Sequence, residues 1–196
     1  MRATPVFPRW YFHQDSAFLN EELDFFETLA SQDNTERKVS LHNGKQANLD
    51  LPNKWPNNIK KKLYAYIDNV CEFYTPEKPA YRINTIWSND FNDGSFNTPH
   101  NHPGSWLSGI IYVRNCYKDN TVFLTERNPV TPNKAFQNNV YAPAVRDGDL
   151  VLFESDLWHW VPPTNKDRLT IAFNVDLNTY RPEQTVLVPE IKFDIW

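Results

Sequence analysis

The sequence predicts an α+β fold, mainly β, in which helices come first and strands follow. Three observations predict it. Apolar residues recur at helical spacing in two segments before residue 75. From Tyr81 the texture changes to short β-rich runs bounded by Asn, Asp, Gly and Pro. Aromatic residues make up 15% of the chain and Pro (15) outnumbers Gly (5), which suits short strands, many turns and an aromatic core. Helices followed by strands argue for helices packed on one outer face of an antiparallel sandwich or barrel. A length of 196 residues is that of a single domain able to bury its own core.

Taken in order, a short apolar lead (Val6, Phe7, Trp10, Tyr11, Phe12) precedes Asp15 and Ser16. Either of these polar residues offers an N-cap for a helix over about 16–31, with Leu19, Leu23, Phe26 and Leu29 on one face. A polar stretch from Ser31 to Asn53 follows. Pro56 then opens a second helix that carries Ile59, Leu63, Tyr66, Ile67, Val70 and Cys71. Proline is favoured in a first turn, where its missing N–H would have no partner anyway. Thr75-Pro76 and Pro79 end the helix, because each proline lacks a donor and disfavours helical geometry in the residue before it. Strands are expected at Arg82–Trp87, Gly109–Arg114, Thr121–Leu124, Asp149–Glu154 and Leu169–Val175. The single domain thus divides into a helical part over about 1–80, a β core over about 81–178 and a tail over 179–196. The Pro- and Asn-rich stretch between Tyr117 and Arg146 is too irregular for the core and is placed to form a lid.

Composition excludes several classes of function. Twenty Lys and Arg against 24 Asp and Glu give a net charge of -4, so no basic face is offered to nucleic acid. A mean hydropathy of -0.63 with no long apolar run predicts a soluble chain with no membrane span. The start of the chain shows no apolar leader, which predicts a cytoplasmic protein. Two cysteines, Cys71 and Cys116, are too few for a disulfide framework or a Cys-based zinc site and fit a reducing compartment.

Five histidines remain, and three of them form a pattern. His100-Asn101-His102 places two imidazoles at i and i+2, on one face if the segment is extended. His159 lies just beyond the run Gly148-Asp149-Leu150-Val151-Leu152-Phe153. Two ligands from one strand and a third from a distant one describe a metal site in the mouth of a β-sandwich; the bland alternative is three ordinary surface or core histidines. His13 and His42 have no partner pattern and read as structural or surface residues. Arg168 and Thr170 open the run Leu169–Val175 and share a strand face. A guanidinium fork beside a hydroxyl suits a carboxylate, and an inward Arg is costly without an anionic partner. The alternative for Arg168 is a strand-edge salt bridge.

These residues carry a family likeness. The stretch Trp87-Ser88-Asn89, Gly94, Pro99 to Ser105 and Ser108 to Val113, followed by Gly148-Asp149-Leu150, Phe153, Ser155, His159, Val161, Pro163, Arg168, Thr170 and Phe173-Asn174, resembles the Fe(II)/2-oxoglutarate-dependent oxygenases. The likeness is to the branch related to prolyl 4-hydroxylases and covers about residues 87–174. It implies a double-stranded β-helix, or jelly roll, whose open end binds Fe(II). His100 and His159 would be two ligands, and His102 stands where most of the superfamily carries Asp or Glu. Arg168 would hold the distal carboxylate of 2-oxoglutarate, and Tyr112, Thr170 and Asn89 match positions that help bind this cosubstrate. A third neutral imidazole removes one negative charge from around the metal, although imidazole suits Fe, Zn, Cu and Ni alike. Glu154 and Asp156 lie close enough in sequence to His159 to supply a carboxylate instead.

The resemblance implies a dioxygenase that hydroxylates a C–H bond of a small-molecule or peptidyl substrate, consuming O2 and releasing succinate and CO2. Trp106, Trp158 and Trp160 flank the proposed ligands and either wall the site or fill the sandwich. The alternative is a cupin-like metal enzyme or small-molecule binding protein that does not use 2-oxoglutarate. Gly94 and the His-x-His resemble the opening of a cupin motif, but the glutamate expected after His102 is absent, since Trp106 and Leu107 stand there. A scaffold that has lost its activity is a third possibility.

Overall fold

Strands β1 (Arg2–Val6) and β2 (Arg9–Gln14) form a hairpin ahead of helix α1 (Asn20–Ser31). Short strands β3 (Leu41–His42) and β4 (Lys45–Asn48) lead to helix α2 (Asn57–Tyr74). Then come β5 (Tyr81–Phe91), β6 (Phe96–His100), β7 (Leu107–Arg114), β8 (Val122–Leu124) and β9 (Val140–Tyr141). The last three are β10 (Leu150–Glu154), β11 (His159–Val161) and β12 (Arg168–Leu177). This computed structural model describes residues 1–6, 9–32, 34–37, 39–117, 121–124, 140–164 and 167–178. The expected tail over 179–196 and most of the expected lid between Tyr117 and Arg146 lie outside the described residues. Among those described, no helix is long and apolar enough to cross a membrane.

The fold is mainly β, and among the described residues all strand pairs are antiparallel. One sheet runs β1-β2-β10-β7-β12-β5-β4 and the other β3-β6-β11-β8-β9. Alternation along each strand separates two interiors. On β12, Leu169, Ile171 and Phe173 join Phe26, Leu63, Ile67 and Val70 of the helices in the larger core, while Arg168, Thr170 and Ala172 face a cavity. On β7, Ile111 and Val113 face the helices, whereas Ile110 and Tyr112 belong to a second core with Tyr11, Phe123, Val151 and Phe153. Period-two side chains thus turn one sheet into a partition, with the helices on its outer face and the second sheet across its inner face.

Two glycines are forced by this packing. Phe173 pairs with Gly109 across β12 and β7, and a Cβ at Gly109 would run into the Phe173 ring. Gly148 adopts φ +89°, its carbonyl accepts the Phe18 N–H at 3.0 Å, and a Cβ there would stand 2.6 Å from that residue's carbonyl oxygen.

The N-terminal part differs from its helical expectation. Its lead is the β1–β2 hairpin, and β2 pairs with β10 so that Phe12 faces the helices while Tyr11 and His13 face the other way. Helix α1 starts at Asn20, four residues later than expected, because Ser16 takes φ +46° and its N–H donates to Asp149. That bond ties the segment to the turn before β10 and leaves Leu19 as N-cap, its N–H accepted by Glu22 at 2.9 Å. Helix α2 runs from just after Pro56 to Tyr74, as the proline punctuation predicts. Strands β3 and β4, within the polar stretch Ser31 to Asn53, and strands β6, β9 and β11 were not anticipated.

Candidate metal centre

The three patterned histidines meet. His159 on β11 pairs directly with His100 at the end of β6, and residues paired across antiparallel strands hold their Cβ atoms about 4.5–5.5 Å apart. His102 lies two residues past the end of β6, where its N–H donates to the Ser155 carbonyl at 2.8 Å. The ring centroids are 4.4 Å apart for His100–His159, 5.0 Å for His102–His159 and 5.2 Å for His100–His102. One ring nitrogen from each lies within 4.8 Å of the other two, the spacing that one ion bound by all three requires.

Hydrogen bonding settles which nitrogen faces inward. His100 Nδ1 lies 2.7 Å from the Thr98 carbonyl and His159 Nδ1 lies 2.9 Å from the Leu157 carbonyl. A carbonyl only accepts, so both Nδ1 atoms carry the proton. His102 Nδ1 lies 2.7 Å from Ser108 Oγ, whose own proton goes to Asn174 Oδ1 at 2.9 Å, so the serine accepts here too. All three rings therefore hold an unprotonated Nε2, the form a metal ligand needs. Burial, then the neighbouring His100 and His102, holds His159 well below the usual imidazole range. Burial, His100 and Arg37 push His102 down to about 4, and burial lowers His100 as well. The rings are neutral at physiological pH.

Neither proposed carboxylate joins them. Both oxygens of Asp156 accept from Arg9 Nε, at 2.7 and 2.8 Å. Glu154 accepts the Tyr74 hydroxyl at 2.9 Å and lies 3.4 Å from Arg9. Among the described residues, the histidine cluster contains no carboxylate.

Inside the histidines, between the sheets, lies a cavity of about 30 Å³ lined by Asn89, Phe91, Thr121, Arg168 and Thr170 among others. Arg168 is buried, with its guanidinium carbon 4.8 Å from the centre of the Phe91 ring. Its Nη2 reaches Thr121 Oγ1 at 3.5 Å, while Nε and Nη1 have no hydrogen-bond partner. A buried cation with two unsatisfied donors fits the carboxylate of a ligand. The cavity holds about two water molecules, so a five-carbon diacid needs its walls to give.

The remaining residues divide. Thr170 and Asn89 pair across β12 and β5 and both line the cavity, with Asn89 Nδ2 donating to Thr170 Oγ1 at 3.4 Å. Asn89 Oδ1 accepts from Gln46 at 2.7 Å. Tyr112 stands behind the lining, in the second core. Burial pushes its hydroxyl up to about 12, and it donates to Thr121 Oγ1 at 3.4 Å. Sequence reasoning missed Thr121, which bridges Tyr112 and Arg168, and Ser108, which orients His102. Neither has a motif of its own; only the strand phase shared by Ser108, Ile110 and Tyr112 hints at the serine's inward position. Of the flanking tryptophans, Trp106 packs on Tyr74 at 5.5 Å in the larger core, and Trp158 is 48% exposed. The tryptophan at the site is Trp87, whose ring centre lies 5.4 Å from that of His102.

Comparison with known proteins agrees with this geometry. No curated protein sequence matches the chain, but residues 85–174 match the family described as "Putative 2OG-Fe(II) oxygenase". A prolyl-4-hydroxylase of Pseudomonas putida superposes with a TM-score of 0.63 at 10% identity, covering 88% of this chain and 95% of the other. A 2OG-Fe(II) oxygenase family oxidoreductase of Burkholderia pseudomallei gives 0.60 at 14% identity, covering 85% of each chain. HygX of Streptomyces hygroscopicus, with nickel and 2-oxoglutarate bound, gives 0.57 at 13%, covering 86% and 83%. At these identities the superpositions speak for the fold, whereas the family match includes every proposed site residue from Asn89 to Thr170. Over residues 85–174 the chain thus matches the model of the 2OG-Fe(II) oxygenase family, whose enzymes work with Fe(II) and 2-oxoglutarate.

Proposed function

We propose that this chain is a dioxygenase that hydroxylates a C–H bond of its substrate, on a double-stranded β-helix formed by the two sheets. The observation that carries the reading is the pairing of three inward Nε2 atoms with a buried, partly unsatisfied Arg168 at the other end of one cavity. His100, His102 and His159 would hold the Fe(II), each fixed by a hydrogen bond at Nδ1. With both cofactors bound, the chemistry supplied is R–H + O2 + 2-oxoglutarate → R–OH + succinate + CO2. Arg168 would clamp the distal carboxylate of the cosubstrate, with Thr121 and Thr170 beside it as hydroxyl donors. Tyr112 would act one step removed, by holding Thr121, and Asn89 by holding Thr170. The apolar wall of Phe91, Ile110, Phe153 and Val161 excludes water from the cosubstrate. Substrate, small or peptidyl, would approach from the outer side of the histidines.

The test is anaerobic reconstitution with Fe(II) and 2-oxoglutarate. A visible charge-transfer band is expected, and Arg168→Ala should weaken the apparent cosubstrate affinity at least about 30-fold, the order of a lost charge-assisted pair. Absence of the band in the wild type, or an Arg168→Ala affinity equal to the wild type's, sinks the assignment. Tight Zn(II) binding without 2-oxoglutarate binding would favour the cupin-like alternative.

A further inference from the structure

A second cavity of about 250 Å³ lies on the outer side of the histidines. Ser40, Trp87, His100 and His102 line both cavities, so the outer one opens directly onto the cluster. We propose that this outer cavity binds the substrate to be oxidised, that the substrate is a small carboxylic acid, and that Arg37 holds its carboxylate. The proposal rests on the reading of the histidines as the metal site and adds a substrate class to it.

Charge points to an acid. Apart from the two histidines, Arg37 is the one ionisable side chain lining the cavity among the described residues, and no Asp or Glu lines it. Its guanidinium carbon stands 4.4 Å from the centre of the Trp87 ring. An arginine stacked on an aromatic face keeps its plane fixed and its N–H edge free for a carboxylate. Nε of Arg37 is buried and has no hydrogen-bond partner, so a ligand oxygen would relieve a donor that folding leaves unsatisfied. The backbone is pinned as well, since the Arg37 N–H donates to the Gln46 carbonyl at 2.7 Å. Preorganisation of this kind lowers the cost of ordering the side chain on binding.

Size points to a small one. A volume of about 250 Å³ lies just below the range for drug-sized ligands, roughly 300–1,000 Å³. The lining amides, Gln46, Asn101 and Asn174, suit the remaining polar groups of an amino or hydroxy acid. The chain thus sets two arginines on opposite sides of the histidines: Arg168 inside for the cosubstrate, Arg37 outside for the substrate.

The test is a binding screen of the free L-amino acids against their C-terminal amides, with the full chain. Binding is read by tryptophan fluorescence in the metal-free protein and by perturbation of the anaerobic Fe(II) and 2-oxoglutarate band in the loaded one. At least one free acid should bind with Kd below about 1 mM, and its amide at least about tenfold more weakly, the loss expected for a charge-assisted pair. Arg37→Gln should remove that discrimination while the band formed by Fe(II) and 2-oxoglutarate alone persists. The proposal is overturned if acid and amide bind alike, if Arg37→Gln still discriminates, or if no free acid binds below about 1 mM. It is equally overturned if a tripeptide binds more tightly than its own C-terminal amino acid, which would make the ligand a chain end. Loss of the wild-type band would be failure of the metal assignment, and the fluorescence comparison would still decide the role of Arg37.

Discussion

The three Nε2 atoms face inward because of groups at the other end of each ring, and those groups differ. For His100 and His159 the acceptor is a backbone carbonyl two residues earlier, Thr98 and Leu157, so the strand itself fixes the tautomer. For His102 it is the Ser108 hydroxyl, held by Asn174 and 2.9 Å from Ser155 Oγ. Only this third anchor can be removed by a side-chain change. Ser108→Ala should therefore weaken metal binding about 10–100-fold, the usual effect of removing a partner that orients a ligand, with the fold retained. Calorimetric titration with Zn(II) and Ni(II) checks it, and an unchanged affinity would mean that His102 needs no such anchor or binds no metal. Residue types and spacing were enough to single out His100, His102, His159 and Arg168 as candidates, because imidazoles at i and i+2 and an inward strand arginine carry their chemistry in their names. Ser108 and Thr121 were illegible for the opposite reason: a serine or threonine in a strand is ordinary, and its importance lies only in what it touches.

Elements were legible where punctuation and periodicity agreed. Helix α2 follows Pro56 and stops at Thr75-Pro76, where proline leaves little choice. Among the short strands β8 and β10 were expected from their apolar runs, whereas β6 and β11 were not, since β6 contains Pro99 and β11 has only three residues. Their pairing, which brings His100 opposite His159, is a long-range fact that no local pattern carries. The start of α1 was misplaced because Asp149, far along the chain, captures the Ser16 N–H. What binds α1 to α2 is likewise nonlocal. Glu22 is buried and accepts from Leu19 N–H, from Asn58 Nδ2 at 3.0 Å and from Lys62 Nζ at 2.6 Å. Burial alone would raise its pKa, yet the Lys62 bond, the Leu19 N–H and Asn58 hold it below the usual carboxylate range. Glu22→Ala leaves these donors facing each other across the helix interface and should cost about 1–3 kcal/mol. Urea denaturation measures that loss. A change under about 0.5 kcal/mol, the range of ordinary surface substitutions, would show that the helices hold together by apolar packing alone.

At the scale of the molecule, the partition between the two interiors sets how folding depends on pH. The core facing the helices is largely apolar, whereas the inner side sets three imidazoles side by side, His159 buried and His100 and His102 half-buried. Each has a folded pKa below its unfolded value of about 6.5, His102 at about 4 and His159 well below the usual range. A folded state that binds fewer protons than the unfolded one gains stability as pH rises. The contribution of the three rings is therefore complete above about pH 6.5 and is lost as pH falls from there toward their folded values. While all three rings titrate only in the unfolded chain, the slope reaches about 1.4 kcal/mol per pH unit for each. Glu22 and Asp149, whose folded pKa values are also lowered, act in a separate window, below about pH 4 where carboxylates protonate. The metal-free protein should accordingly show a falling Tm between about pH 6.5 and 4.5, well before the carboxylates titrate. His102→Gln should flatten that slope by about one proton. Bound metal, which needs the same neutral rings, should raise Tm most near neutral pH and lose its effect as pH falls, because protons compete for Nε2. A metal-free Tm that is level from pH 6.5 to 4.5 would contradict the neutral state of the clustered imidazoles, and with it the picture of one sheet as a wall between an apolar core and the proposed metal site.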